Sequence, residues 1–236
     1  MSISSSPHSH GIALPNGCMI VHGEGANIKH PFRDVPVEMH ELDSGGNPKR
    51  TFAGQFGFIE FTTEFRLPRH VHIAPPSESP DAERKFVSER IVVLNGVALV
   101  ELNGEIYVIP PKSLVTIAPG VPHTWTACPA GVVMPSLQKS GLNSTSETAA
   151  TPDAEEEEAE GVTSTGKFLM LYEYEEPTAF FPTAQTKTLS KVDEYERCDE
   201  LESIRIPKLS DVDVQDWCWF VWGKKLLPPS EAGIRA

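Results

Sequence analysis

Two Asn-Gly dipeptides, eight residues apart, place the strongest constraint on how this chain can fold. They separate three short apolar runs, which read Ile91-Val92-Val93-Leu94, Val97-Ala98-Leu99-Val100 and Ile106-Tyr107-Val108-Ile109. Asn95-Gly96 and Asn103-Gly104 favour the type I′ turns of two-residue β-hairpins, in which both central residues have positive φ. Short antiparallel strands at this spacing are typical of β-barrels and sandwiches.

The β pattern extends on both sides of these runs. Aromatic and apolar residues nearly alternate from Phe56 to Phe61, and strand-favouring sequence recurs over 113–117, 123–127 and 168–174. We therefore predict that residues 54–128 and 167–174 form one antiparallel barrel.

Four side chains in this β-patterned region suggest a metal site. His70 and His72 are two apart, so in a strand both project from one face while Val71 projects from the other. Glu89 begins one predicted strand, and His123 follows the turn Pro119-Gly120-Val121-Pro122. Imidazoles close to a carboxylate suit a first-row transition metal. The alternative is that these histidines only pack in the core or lie on the surface.

The order of these residues resembles the two sequence motifs of the cupin superfamily. His70-Val71-His72 is followed by Glu89 with Gly96 seven residues on, and then by Gly120-Val121-Pro122-His123. The resemblance covers roughly residues 54–128. It implies a mainly β, double-stranded β-helix of the jelly-roll type, with the metal ligands His70, His72, Glu89 and His123.

The sequence departs from the family pattern at three places. Residues 73–88 separate His72 from Glu89, where the family has only a few residues, and we expect this insert to be a loop at the barrel mouth. The nearer carboxylate, Glu78, has neither a glycine seven residues on nor a strand pattern, so Glu89 is the better candidate. Lys112 stands in place of the usual first glycine of the second motif, and Ala118 in place of the usual proline.

The run from Val93 to Cys128 looks like that of cupin-domain oxidoreductases from fungal polyketide clusters, in particular those associated with salicylaldehyde-type products. This finer resemblance implies a tailoring role in secondary metabolism, with a polyketide-derived small molecule as the substrate. The wider cupin resemblance also leaves a homodimer open, since many cupins are dimers.

Three imidazoles and one carboxylate would leave two positions open on an octahedral ion. Such mixed ligation favours Fe(II), while Mn, Ni, Co and Zn stay open. The first hypothesis is a metal-dependent, dioxygenase-like oxidoreductase of a small phenolic or carbonyl compound, with Glu89 as the catalytic carboxylate. The second is a non-redox isomerase, cyclase or decarboxylase, and the third is a small-molecule-binding cupin without enzymatic activity.

Net charge and cysteine spacing argue against several other classes of protein. The 236-residue chain has a formal net charge of −13, which argues against binding to nucleic acid or to an anionic membrane surface. The four cysteines have no C-x-x-C spacing, so a zinc ribbon is not indicated. We find neither a secretory segment nor an apolar run long enough to span a bilayer, and we expect a cytoplasmic protein with reduced thiols.

The predicted organisation has five parts: an N-terminal arm with short strands (1–53), the cupin barrel (54–135), an acidic insertion (136–166), a returning barrel strand (167–182) and a helical C-terminal segment (183–236). The insertion has seven acidic residues against one lysine, and we expect it to be disordered. Within the last part we expect a helix from Leu189 to Glu202, and we expect the Trp-rich stretch 217–222 to pack on the outside of the barrel or on a second subunit.

Overall fold

A computed structural model describes residues 12–13, 19–20, 27–32, 37–43, 54–75, 84–134, 162–222 and 225–229. The strands in these ranges are, in chain order, β1 (Ile12–Ala13), β2 (Met19–Ile20), β3 (Asn27–Lys29), β4 (Met39–Asp43), β5 (Phe56–Thr62), β6 (His70–Ile73), β7 (Glu89–Gly96), β8 (Ala98–Leu102), β9 (Glu105–Ile109), β10 (Ser113–Ile117), β11 (His123–Ala127), β12 (Lys167–Tyr174), β13 (Ala179–Pro182), β14 (Trp219–Trp222) and β15 (Lys225–Leu227). One α-helix, α1, spans Asp211–Trp217, and no helix in the described ranges is long and apolar enough to cross a membrane.

Two sheets form the body of the molecule. The six-stranded sheet has the order β10-β7-β12-β5-β4-β3, and the seven-stranded sheet has the order β13-β6-β11-β8-β9-β14-β15. From β5 to β12 the chain changes sheets at every connection except the β8–β9 hairpin. The eight strands therefore form two four-stranded units, β10-β7-β12-β5 and β6-β11-β8-β9, which is the arrangement of a jelly roll. The mainly β jelly-roll prediction is confirmed.

The two Asn-Gly dipeptides have different roles. Asn103 and Gly104 have φ of 53° and 86°, and they form the predicted turn between β8 and β9. The hairpin predicted at Asn95-Gly96 is wrong, because β7 and β8 lie in different sheets. Gly96 has φ of 66°, and a Cβ atom there would lie 2.0 Å from the carbonyl oxygen of Lys167. The glycine is therefore required where the chain crosses between sheets close to β12.

The main core lies between the two sheets. Alternate residues of β12 face inward, and four of them are 1–2% exposed: Phe168, Met170, Tyr172 and Tyr174. They pack with inward residues of the other strands, including Phe61, Ile91 and Trp125. Burial of each large apolar side chain contributes on the order of 1.5–3 kcal/mol, so this layer fixes the separation of the sheets that carry the candidate site.

The C-terminal segment covers the outer face of the seven-stranded sheet. Phe220 of β14 packs with Leu99 and Cys128 in a second buried cluster, and Leu189 packs with Val71 in a third. The Trp-rich stretch forms β14, which pairs in parallel with β9 at Trp219 and Phe220.

The helix predicted from Leu189 to Glu202 is wrong. Only 3-10 turns at Val192–Glu194 and Leu201–Ile204 occur in or beside this range. Backbone hydrogen bonds to other parts of the fold replace helical ones, since Leu189 donates to Gly120 and Cys198 donates to Pro182. The α-helix of the C-terminal segment is α1, which begins with a capping box formed by Ser210 and Asp213.

Both sequence insertions fall partly outside the described residues. Of the acidic segment, residues 136–161 are outside, while Ser164 pairs with Val132 and Val162 with Met134 through backbone hydrogen bonds of 2.8 Å. Of the insert between His72 and Glu89, residues 76–83 are outside, and Ala74 donates to Lys85. Each insertion therefore leaves and rejoins the fold at neighbouring points.

Candidate metal centre

The predicted His-x-His pair lies on β6 with both imidazoles inside the barrel. All four residues of β6 are buried, because Val71 and Ile73 face the opposite side and pack against Phe86 and Leu189. His70 and His72 are 1% and 2% exposed. The period of two expected from the sequence therefore holds at this strand.

His123 and Glu89 meet this pair from two other strands. His123 begins β11 and is the strand partner of His70, while Glu89 begins β7 in the facing sheet. The ring centroids lie 4.9 Å apart for His70–His72, 4.4 Å for His70–His123 and 5.2 Å for His72–His123. One ring nitrogen from each histidine lies within 4.8 Å of the others, a group of donor atoms that can hold a metal ion.

Each histidine is oriented by a backbone carbonyl. The Nδ1 atoms lie 2.7 Å from the oxygen of Pro68 for His70, 3.2 Å from that of Ala179 for His72, and 2.9 Å from that of Val121 for His123. A carbonyl oxygen only accepts, so Nδ1 carries the proton and Nε2 carries a free lone pair. This arrangement is typical of metal-binding histidines, whose second nitrogen donates to a carbonyl or carboxylate.

Glu89 directs an acceptor atom at the same region. Its Oε2 lies 3.0 Å from Nε2 of His123 and 3.5 Å from Nε2 of His72. These three atoms are buried, and none has a hydrogen-bond partner within the part of the chain that the structure describes. Three lone-pair-bearing atoms facing one another away from water are unfavourable unless a cation lies among them.

Burial sets the charge state of the site. Burial lowers the pKa of His70 well below its ordinary 6.5, and the neighbouring His123 and His72 lower it further. Burial also lowers the pKa of His72, although Glu89 opposes this shift. For Glu89, burial alone would raise the pKa, but the adjacent imidazoles of His72 and His123 outweigh it and hold the pKa below 4.5. Glu89 is therefore a carboxylate at neutral pH, and burial disfavours the protonated, charged forms of His70 and His72.

Aromatic side chains that the sequence analysis did not single out form the wall of the site. The ring of Phe180 lies 4.5 Å from that of His70, and the ring of Tyr174 lies 4.5 Å from that of His72. Phe32 contacts His70 from another direction at 5.8 Å. Tyr174 could have been found from the alternation of β12, whereas Phe180 comes from a strand without a clear pattern.

Trp125 shares the inward face of β11 with His123 and is packed in the core beside Phe168. Cys128 lies in the cluster outside the barrel, where burial raises the pKa of its thiol to about 12, so it does not contact the site. Glu78 lies outside the described residues.

A groove of about 280 Å³ lies away from the histidines, on the outer face of the seven-stranded sheet. Its walls include Arg66, Leu99, Thr126 and Lys208. Arg66 and Lys208 are already paired with Glu202 and Glu64. The groove therefore lacks the converging unpaired polar atoms that distinguish the barrel interior.

No family model matches this chain, and no curated protein matches it. Among solved structures, it is similar to a putative ethanolamine utilization protein Q from Salmonella typhimurium, with 12% identity and a TM-score of 0.40 over 71% of this chain and 92% of that chain. It is also similar to the polyketide cyclase RemF from Streptomyces resistomycificus, with 14% identity and a TM-score of 0.39 over 78% of this chain and 96% of that chain. A cupin-like protein from Thermotoga maritima matches with 13% identity and a TM-score of 0.35 over 62% of this chain and 76% of that chain.

Proposed function

We propose that this chain is a metal-dependent cupin oxidoreductase that acts on a small phenolic or carbonyl compound. The observation that carries the proposal is the convergence of Glu89 Oε2 with the Nε2 atoms of His72 and His123, all buried and without hydrogen-bond partners in the described chain. His70 adds a third imidazole, since one ring nitrogen of each of the three histidines lies within 4.8 Å of the others. A divalent cation held by these four residues would remove the repulsion among the acceptor atoms.

The donor set favours Fe(II). Three neutral imidazoles and one carboxylate provide mixed nitrogen and oxygen ligation, which leaves positions open on an octahedral ion, and Mn, Ni, Co and Zn stay alternatives. A bound Fe(II) ion would supply the one-electron chemistry toward O2 that side chains lack. The chain itself orients the imidazoles through carbonyl groups and excludes water by burial. Glu89 brings the negative charge that partly balances the ion.

The walls support an aromatic or enolic substrate. Phe180 and Phe32 present aromatic surface next to His70, with their own ring centroids 5.5 Å apart. Such a wall suits a flat, largely apolar molecule with a few oxygen atoms. The finer proposal, a polyketide-derived metabolite in a fungal secondary pathway, rests on the sequence resemblance over Val93–Cys128. The homodimer and the cytoplasmic location stay predictions.

Oxygen uptake tests this function. Metal-free protein is reloaded with Fe(II) or with redox-inert Zn(II) and offered a panel of small phenols and 1,3-dicarbonyl compounds. We expect uptake that requires both the Fe(II)-loaded protein and one class of compound, with the Zn(II)-loaded protein inactive. Conversion at equal rates with Zn(II) and without oxygen would contradict the proposal and favour the isomerase, cyclase or decarboxylase hypothesis instead. A loaded protein that binds a compound without converting it would favour the binding-protein hypothesis.

A further inference from the structure

Two tyrosine hydroxyls lie buried inside the barrel. Tyr172 and Tyr174 face inward from β12, are 1% and 2% exposed, and have ring centroids 5.1 Å apart. Neither hydroxyl makes a hydrogen bond of regular geometry within the described residues, and that of Tyr174 lies close to the carboxylate of Glu89. A buried hydroxyl without a partner is costly, and buried polar groups in native proteins are nearly always paired with protein, water or ligand.

The position of each ring is fixed by the fold. Tyr174 is the strand partner of Glu89, and its ring lies 4.5 Å from that of His72. Tyr172 lies over Gly57 of β5, where an added Cβ atom would come within 2.7 Å of the Tyr172 hydroxyl oxygen. The absence of a side chain at Gly57 leaves the space that this phenol occupies. The Tyr174 ring is therefore held beside the candidate metal centre, and the Tyr172 ring is held next to that of Tyr174.

The nearby buried carboxylate of Glu41 does not require these hydroxyls. It is 1% exposed, but Lys29 forms an ion pair with it, and the side-chain nitrogens of Gln55 and Asn27 donate to it at 3.1 Å and 3.3 Å. Glu41 therefore has donors other than these two hydroxyls, and the charged group beside the Tyr174 hydroxyl is Glu89.

We propose that Tyr172 and Tyr174 form a paired donor subsite that holds an oxygen atom of an enolate or phenolate ligand next to the metal centre. This inference rests on the proposed function. A tyrosine hydroxyl donates at neutral pH, and hydrogen bonds to a charged oxygen are stronger than those to a neutral one. Phe180, which lies 5.0 Å from His72 and 6.5 Å from Tyr174 between ring centroids, provides the apolar contact for the carbon skeleton.

The test is a binding measurement with acetylacetone, a small 1,3-dicarbonyl that ionises to an enolate. It is titrated by calorimetry into wild-type, Tyr174→Phe and Tyr172→Phe proteins, each loaded with Fe(II) under anaerobic conditions. We expect either substitution to raise the Kd about tenfold, the effect of losing one hydrogen bond to a charged group, with metal content unchanged. The matched control is Tyr195→Phe, since the Tyr195 hydroxyl donates to Pro182 outside the barrel; its Kd should stay within about twofold.

Three results would overturn the subsite, and each differs from a failure of the proposed function. Wild-type protein that loads metal but does not bind acetylacetone would show that the ligand class is wrong. Equal affinity in the Tyr→Phe variants would show that the hydroxyls bind only water. Loss of metal from Tyr174→Phe would show that its hydroxyl supports Glu89 instead of a ligand. If wild-type protein takes up no metal at all, the proposed function itself fails, and the subsite fails with it.

Discussion

Glu89 is buried beside imidazoles whose Nδ1–H groups donate hydrogen bonds to backbone carbonyl oxygens. Its Oε2 therefore faces the lone pairs of His72 and His123 at 3.5 Å and 3.0 Å, and a cation is the group that would satisfy all three atoms. The distance along the sequence from His72, which sets this chain apart from the family pattern, does not prevent the approach. Glu89 reaches the site because β7 lies in the sheet that faces β6.

We predict that Glu89→Gln weakens metal binding by at least about tenfold. Mutation of a residue that only hydrogen-bonds a metal ligand already lowers metal affinity by about this factor. Turnover should be lost while the fold is retained, since glutamine has nearly the same volume. Glu78→Gln is the matched control and should leave metal affinity and turnover unchanged. Metal titration, circular dichroism and turnover are measured for both variants. Retention of metal by Glu89→Gln with loss from Glu78→Gln would mean that the carboxylate has been assigned to the wrong residue.

At the residue scale, spacing and the family resemblance singled out His70, His72, Glu89 and His123, which the structure brings together, but not the residues around them. In a strand, residues two apart share a face, so the sequence identifies side chains that point the same way. Tyr172 and Tyr174 look like ordinary core residues of a strand, and only the structure shows that their hydroxyls lack partners. Phe180 reaches the site through the pairing of β13 with β6, which the sequence does not reveal.

At the element scale, β11 separates two environments. His123, Trp125 and Ala127 face the barrel interior, whereas Cys128, one residue beyond the strand, belongs to the outer cluster with Leu99. Alternation along one strand therefore predicts which side chains can reach the metal. The same rule does not predict the strand's neighbours, which is why the hairpin at Asn95-Gly96 was wrong.

This separation makes a prediction for Cys128. Replacing the buried thiol in Cys128→Ser places a more polar hydroxyl in an apolar cluster, so the free energy of unfolding should fall by about 1–3 kcal/mol. Metal content should not change. The control Cys198→Ser, at a half-buried position on the C-terminal segment, should change stability by less than about 0.5 kcal/mol. Chemical denaturation and metal analysis provide the readouts, and metal loss from Cys128→Ser would show that the strand register is wrong.

At the scale of the whole molecule, the jelly roll was predictable because its strands are short, alternating and separated by turn residues. The C-terminal segment was not, because its course depends on contacts with distant strands. Leu189, Val192, Tyr195 and Leu201 have the spacing of an apolar helical face, yet Leu189 and Tyr195 make hydrogen bonds to Gly120 and Pro182 on the body of the fold. Tertiary hydrogen bonds and packing therefore override a weak local pattern.

The central claim is that three histidines and one glutamate of the barrel interior hold a metal ion. It is tested most directly by the metal content of purified protein, measured by mass spectrometry for wild-type, His72→Ala and His40→Ala proteins. His40 is the control, since it stacks on Phe58 at 4.5 Å on the opposite face of the six-stranded sheet. We predict about one transition-metal ion per chain in wild-type and His40→Ala proteins and a near-complete loss in His72→Ala. Equal metal content in all three proteins, or none in the wild type after loading with Fe(II), would contradict the account.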